Sequence, residues 1–162
     1  MSETDETATL QSSYTEMTEL LLPNDTNVYG RALGGSVLHW MDICGVIAAG
    51  RFANEQLVTA SIDHVDFKSP IDLGEVAIIE AFVFNTGRTS MDVRVEVRAE
   101  NLQTGEDRET TSSFLTFVAI DSEGRPTSVP DLVCQTENAK KLRDEAIEQR
   151  ETELEALIER LQ

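Results

Sequence analysis

One stretch restricts the fold more than any other: Ser36 to Ala49, which reads SVLHWMDICGVIAA. Its only polar side chains are Ser36, His39 and Asp42. A helix that is apolar around nearly its whole circumference belongs inside a core, so the rest of the chain has to wrap around it. Gly50 or Arg51 marks its end. At 162 residues, 40% of them hydrophobic, the chain is long enough for one such domain with a terminal extension.

The segments downstream of this helix alternate as strands do. Leu57–Phe67 places Val58, Ala60 and Ile62 opposite Thr59, Ser61 and Asp63. Glu75–Asn85 is more uniformly apolar, as a central strand is. In Met91–Glu100, Met91, Val93, Val95, Val97 and Ala99 alternate with charged residues, the pattern of a half-buried antiparallel strand. Asn85-Thr86-Gly87-Arg88 supplies a turn between the last two. Glu109–Ile120 reads as a further strand and Tyr14–Leu22 as a leading one, stopped by the turn-forming run Pro23-Asn24-Asp25-Thr26-Asn27. The layout is α+β, with an antiparallel sheet of about five strands around one long helix. Open sheet edges predict dimerisation.

Residues 1–13 are polar and acidic and are expected to be a disordered tail; 14–135 form the domain. From Thr136 to Gln162 a charged helix is expected, capped by Thr136. Its interrupted apolar stripe fits a solvated surface helix or packing on a neighbouring subunit.

Thirty acidic residues against 13 basic give a net charge of −17. That disfavours nonspecific nucleic-acid binding, which needs a basic face. It suits a high-salt, acidic-proteome (halophilic) setting, where screening relieves self-repulsion. No apolar run approaches the roughly 20 residues of a membrane span, and the acidic start lacks a secretory signal's layout. A cytoplasmic location follows as an expectation. Cys44 and Cys134 form no metal-ligand pattern, and no metal site is expected.

Asp42 is the informative position. A carboxylate in an apolar interior is strongly disfavoured unless paired. It is either a functional group or is rotated into a polar crevice, for example with Arg31 or Arg51. His39, one turn earlier, could share its face as a proton-transfer partner or be a histidine satisfied locally; His64 carries the same two readings. At the amino end of the helix, Gly34-Gly35 and Ser36 offer unpaired N–H groups at the positive end of the helix dipole. Such a terminus can bind phosphate or polarise a carbonyl.

Several segments together carry a family resemblance. Pro23-Asn24-Asp25-Thr26-Asn27-Val28-Tyr29-Gly30, Gly34-Gly35 and Trp40-Met41-Asp42 are followed by Val58-Thr59-Ala60-Ser61-Ile62-Asp63. Gly87-Arg88-Thr89-Ser90-Met91, Ser113-Phe114-Leu115-Thr116-Phe117-Val118 and Glu123-Gly124-Arg125 complete the set. Over roughly residues 14–145 the chain resembles the YciA and brain acyl-CoA hydrolase family of hotdog thioesterases. The resemblance implies a hotdog fold and hydrolysis of acyl-CoA to free CoA and a carboxylic acid. It implies Asp42 and Asn27 as catalytic residues, supplied by different subunits; at the helix start the N–H of Gly35 or a neighbour, beside Gly34, is expected to polarise the thioester carbonyl, and Asn27 to orient the water or the carbonyl. CoA would lie along a dimer interface with its phosphates near Gly87, Arg88, Thr89 and Ser90. A guanidinium can bind two phosphate oxygens at once, which singles out Arg88. A hexamer built from three dimers is implied, and no cofactor beyond the CoA of the substrate. Arg31 departs from several bacterial relatives, which carry Asp or Asn after the loop glycine, and it bears on specificity.

Within that frame, Asp42 is expected to act as general base on water, or as a nucleophile through an anhydride. A hotdog hydratase or dehydratase using His39 or His64 with Asp42 is the competing enzyme. A non-catalytic acyl-CoA-binding module is the non-enzymatic reading.

Overall fold

The long helix runs from Gly34 to Ala53 (α2) and ends at Asn54, whose φ of 54° is the left-handed cap of a helix terminus. The computed structural model describes residues 6–162. Around α2 curls a five-stranded sheet made of Thr15–Leu20 (β2), Gln56–Ile62 (β3), Val76–Thr86 (β4), Ser90–Glu100 (β5) and Asp107–Ile120 (β6). The strand order is β2-β4-β5-β6-β3, and every neighbouring pair is antiparallel. β5 alternates buried and half-buried residues along its whole length, as its sequence predicts.

The inner face of the sheet packs Ile79, Val93, Val95, Leu115 and Phe117 against Met41, Cys44, Ala48 and Phe52 of α2. Gly45 lets helix and sheet approach: a Cβ there would sit 3.0 Å from the Phe117 ring. The sheet covers only one side of the helix. Leu38, Asp42, Ile43, Val46 and Ile47 are half-buried and His39 is exposed. The expectation of burial all round is corrected for this stripe, because its apolar side chains have no sheet of this chain over them.

The outer face is also covered, which explains why β4 is apolar on both sides. Phe82 and Phe84 point outward with Phe114, and they bury against Leu10, Ala139 and Ala146. Ala139 and Ala146 belong to the C-terminal helix, Glu137–Leu161 (α3), whose Thr136 cap accepts a 3.0 Å hydrogen bond from the Ala139 N–H. Arg150 of α3 lies over the Phe84 and Phe114 rings, at 6.0 and 5.8 Å from their centroids. It pairs with Asp63 and Asp92 at 3.1 Å each. The first half of α3 is thus docked on its own sheet rather than simply solvated. Leu154, Ile158 and Leu161 further along remain exposed.

The expected disorder of residues 1–13 is corrected over 7–13; residues 1–5 lie outside the described ones. Thr7–Thr9 (β1) pairs in parallel with Asp131–Val133 (β7), and Leu10–Ser13 forms a helical turn (α1) capped by Thr9. Leu10 is 1% exposed. One well-placed leucine and a strand partner order a segment whose composition is otherwise that of a tail. No helix of the described residues is long and apolar enough to cross a membrane.

Candidate active site

Asp42 and Gly35 are seven residues apart on α2, so they share the stripe that the sheet leaves uncovered. Asp42 Oδ1 accepts a 2.8 Å hydrogen bond from Thr59 Oγ1 on β3. Its other oxygen accepts no hydrogen bond from the described residues. Neither arginine suggested as a partner reaches it. Arg51 donates to Tyr14 O and Thr15 Oγ1, and Arg31 faces Asp72 at 3.9 Å in an exposed pair. His39 makes no hydrogen bond to Asp42 among the described residues, and His64 instead contacts Asp66 at 2.9 Å. The carboxylate is held by one hydroxyl and otherwise open, an arrangement suited to accepting a proton.

Thr59 is the functional candidate that sequence reasoning missed as an individual residue. β3 carries one extra residue, Ala60, where Thr59 pairs with Phe117 and Ser61 with Thr116. Such bulges bend a strand and redirect its side chains. The contact joins a helix to a strand 17 residues on, a distance at which periodicity says nothing.

Asn27 sits in the loop before α2. Its side-chain oxygen accepts from the Tyr29 and Arg31 N–H groups at 2.9 and 3.2 Å, leaving its amide nitrogen available as a donor. The loop closes through Asn27 N–H to Arg31 O (2.8 Å) and returns at Gly30 with φ +72°. The N-cap, Leu33, has no side chain that can bond the helix start. Ser36 and Val37 N–H groups bond back to Leu33 O, whereas those of Gly34 and Gly35 make no backbone hydrogen bond among the described residues. A Cβ at Gly35 would meet nothing within 4 Å, so a ligand can approach these donors closely.

Asn27 and Gly34 line one cavity of about 340 Å³, with Val37, Phe67, Ile71 and Thr110. Asp42 of the same chain does not line it. A second cavity, of about 260 Å³, lies under the last turns of α3 beside Ser112; of the candidate residues it holds only His64, without Asp42, Asn27 or Arg88. Arg88 is exposed in the β4–β5 turn with no ion-pair partner among the described residues. Gly87 N–H donates to Ser90 O at 2.9 Å, and Thr89 O accepts from Ala119 N–H. The phosphate candidates form a hydrogen-bonded turn that lines neither cavity. No group of three or more His, Cys, Asp or Glu suited to a metal occurs among the described residues.

An antiparallel sheet wrapped around one long helix is the layout of the hotdog fold. The thioesterase superfamily matches residues 29–106. The chain is 39% identical over 146 residues to YkhA of Bacillus subtilis, an uncharacterized acyl-CoA thioester hydrolase, covering 90% of this chain and 85% of that one. An apo-hexameric acyl-CoA thioesterase superposes with a TM-score of 0.83 at 44% identity, over 94% of this chain and 97% of the other. An acyl-CoA hydrolase from Staphylococcus aureus, solved with butyryl coenzyme A, coenzyme A and coenzyme A disulfide, gives 0.78 at 32% identity over 94% and 97%. That hydrolase has also been solved with an aspartate, an asparagine or a threonine replaced by alanine. The chain belongs to the YciA-like family of hotdog acyl-CoA thioesterases, and it is a thioester hydrolase.

Proposed function

We propose that the protein hydrolyses acyl-CoA to CoA and a carboxylic acid at sites completed between subunits, with Asp42 as general base on water. The observation that carries this reading is the Asp42 carboxylate, anchored by Thr59 on one oxygen and facing outward from the uncovered side of α2. The oxyanion donors are the Gly35 N–H and the amide of Asn27, both at the head of the same helix. Two helical turns separate Gly35 from Asp42, a rise of about 10.5 Å. That is too far for both to serve one carbonyl comfortably within a chain. We assign Asp42 of one protomer to act with Asn27 of the partner subunit.

The half-buried apolar stripe of α2 and the exposed strand β3, with Val58 and Ile62 each 45% exposed, supply a surface for that partner. In the S. aureus hydrolase the replaced residues have the spacing of Asn27, Asp42 and Thr59, fifteen residues and then seventeen. The apo thioesterase that superposes is hexameric, and three such dimers are our reading for this chain. Arg88 and the Gly87, Thr89 and Ser90 turn take the CoA phosphates, and no further cofactor is required. The acidic surface fits a cytoplasm of high salt.

Substituting Asn for Asp42 keeps the shape and removes the base. Release of free thiol from an acyl-CoA should fall by about 10²–10⁴-fold, with the fold and assembly unchanged. A D42N variant near the parental rate would sink the assignment. Attack by Asp42 itself, through an anhydride, is distinguished by single-turnover hydrolysis in H₂¹⁸O: label in the enzyme's carboxylate reports water opening the anhydride at the Asp42 carbonyl, which direct attack of water on the thioester never gives.

A further inference from the structure

Strict alternation would put Thr59 of β3 and Asp63, one residue past its end, on the same face of the sheet. The structure sends them to opposite faces. Thr59 Oγ1 donates to Asp42 of α2 on the inner side, whereas Asp63 pairs with Arg150 of α3 on the outer side. The bulge at Ala60 makes this possible: Thr59 lies opposite Phe117 and Ser61 opposite Thr116, so the alternation shifts by one between them. Beyond the bulge the Asp63 N–H donates to Phe114 O at 2.9 Å, which continues the shifted register.

Arg150 holds the outward half of that arrangement. Its Nε and Nη2 donate to the two Asp63 oxygens at 3.1 and 3.3 Å, a bidentate geometry that fixes orientation as well as distance. Its Nη1 reaches Asp92 of β5 at 3.1 Å. Asp92 accepts in turn from Thr116 of β6 at 2.7 Å and from Asn85 of β4 at 2.8 Å. Thr116 is the residue opposite Ser61, so the network meets the sheet beside the bulge. At the sheet edge, β3 bonds to β6 alone among the described strands, and an edge strand with exposed side chains specifies its register weakly. Once Asp63 is released, the extra residue can shift to either side of Ala60. With the shift placed before Thr59, the hydroxyl faces outward and misses Asp42.

We propose that Arg150 is a positioning residue for the reaction: by holding Asp63 outward it fixes the bulge at Ala60 and thereby aims the Thr59 hydroxyl at Asp42. A helix on the far side of the sheet then bears on kcat through one strand. The inference rests on the reading of Asp42 as general base.

The test is a double-mutant cycle on kcat and KM in the parent, R150M, T59V and R150M/T59V, with the acyl-CoA that the parent hydrolyses fastest. Methionine keeps an apolar stem over the Phe84 and Phe114 rings and removes the ion pairs. R150M should lower kcat by about five- to tenfold, no more than T59V does, and leave KM within about twofold. In the T59V background the same substitution should change kcat by less than about twofold, because the hydroxyl it acts through is gone. R150K keeps the charge but cannot bridge both Asp63 oxygens, so its kcat should fall between those of R150M and the parent. It runs the same cycle if R150M does not fold. An arginine that merely docks α3 gives parental kcat in R150M, or the same loss with and without the Thr59 hydroxyl, and either result overturns the proposal. Parental kcat in T59V overturns it as well. D42N measured alongside separates the two failures: near-parental D42N removes the catalytic reading and this proposal with it, whereas inactive D42N beside parental R150M removes the proposal alone.

Discussion

Replacing Thr59 with valine removes one oxygen and leaves almost everything else in place. Valine has the shape of threonine and suits a strand as well. The hydroxyl's donation to Asp42 Oδ1 at 2.8 Å is the only hydrogen bond this carboxylate receives from the described residues. A hydrogen bond to a charged group contributes about 1.5–3 kcal/mol, and the low end applies because Thr59 is exposed in the single chain. If the bond aims the carboxylate at the attacking water, about 1.5 kcal/mol converts to roughly a tenfold loss. The loss should fall on kcat, with KM for the acyl-CoA little changed, because Thr59 holds the base rather than the ligand. Continuous thiol release across substrate concentrations separates the two parameters, and the melting temperature should fall by no more than about 3–6 °C, the shift that about 1.5 kcal/mol produces in a chain of this size. Parental kcat in T59V would refute the idea that this hydroxyl positions Asp42. A loss confined to KM would move Thr59 to a substrate-binding role.

Three further outcomes follow from packing and charge. In G45A the new Cβ lies 3.0 Å from the buried Phe117 ring and 3.6 Å from Val95; overpacking of about 1–3 kcal/mol outweighs a helix-propensity gain of about 1 kcal/mol, so a urea midpoint at or above the parent's would contradict the fit. Glu75 is bridged by both Arg108 terminal nitrogens at 2.6 and 2.8 Å, and that guanidinium holds its carboxyl below the usual range. A depressed folded-state pKa stabilises above the unfolded value of about 4.3, and that contribution is lost as pH falls below it. The stability gap between parent and E75Q should therefore stay constant above about pH 5 and close in more acid solution; a gap that widens there would reverse the sign. Burial pushes the Cys44 thiol up to about 12, so at pH 8 a thiol reagent should label Cys134 first and Cys44 only as the protein unfolds, and equal labelling rates would contradict that burial.

Much of this fold is readable from side-chain patterns, for identifiable reasons. The α2 run is longer than any strand and almost uninterrupted by polar groups, and β5 alternates without a fault. What patterns could not convey is which neighbour covers an apolar residue. Ile43, Val46 and Ile47 announce burial, but the chain's own sheet lies on the other side of the helix. Phe82 and Phe84 similarly announce a second packed face without saying that α3 and Leu10 supply it. The three-residue strands β1 and β7 are too short to show any period, and the bulge at Ala60 is a property of a strand pair rather than of one strand. Asp42 stood out because a charge is costly in an apolar run. Thr59 is an ordinary strand residue until its surroundings are known.

The pairing of β1 with β7 brings Thr7 beside Asp131, a separation of most of the chain. During synthesis β1 leaves the ribosome early while its strand partner β7 follows late, whereas α1 packs on α2 and β4, where Ser13 Oγ accepts from Val83 N–H at 2.9 Å. The outer cluster of Leu10 with Phe84 and Phe114 is completed only by Ala139 and Ala146 of α3. Closure of the outer layer is thus a late event that waits on the carboxyl-terminal third, whereas the α2–β4–β5 core can form from sequence already translated.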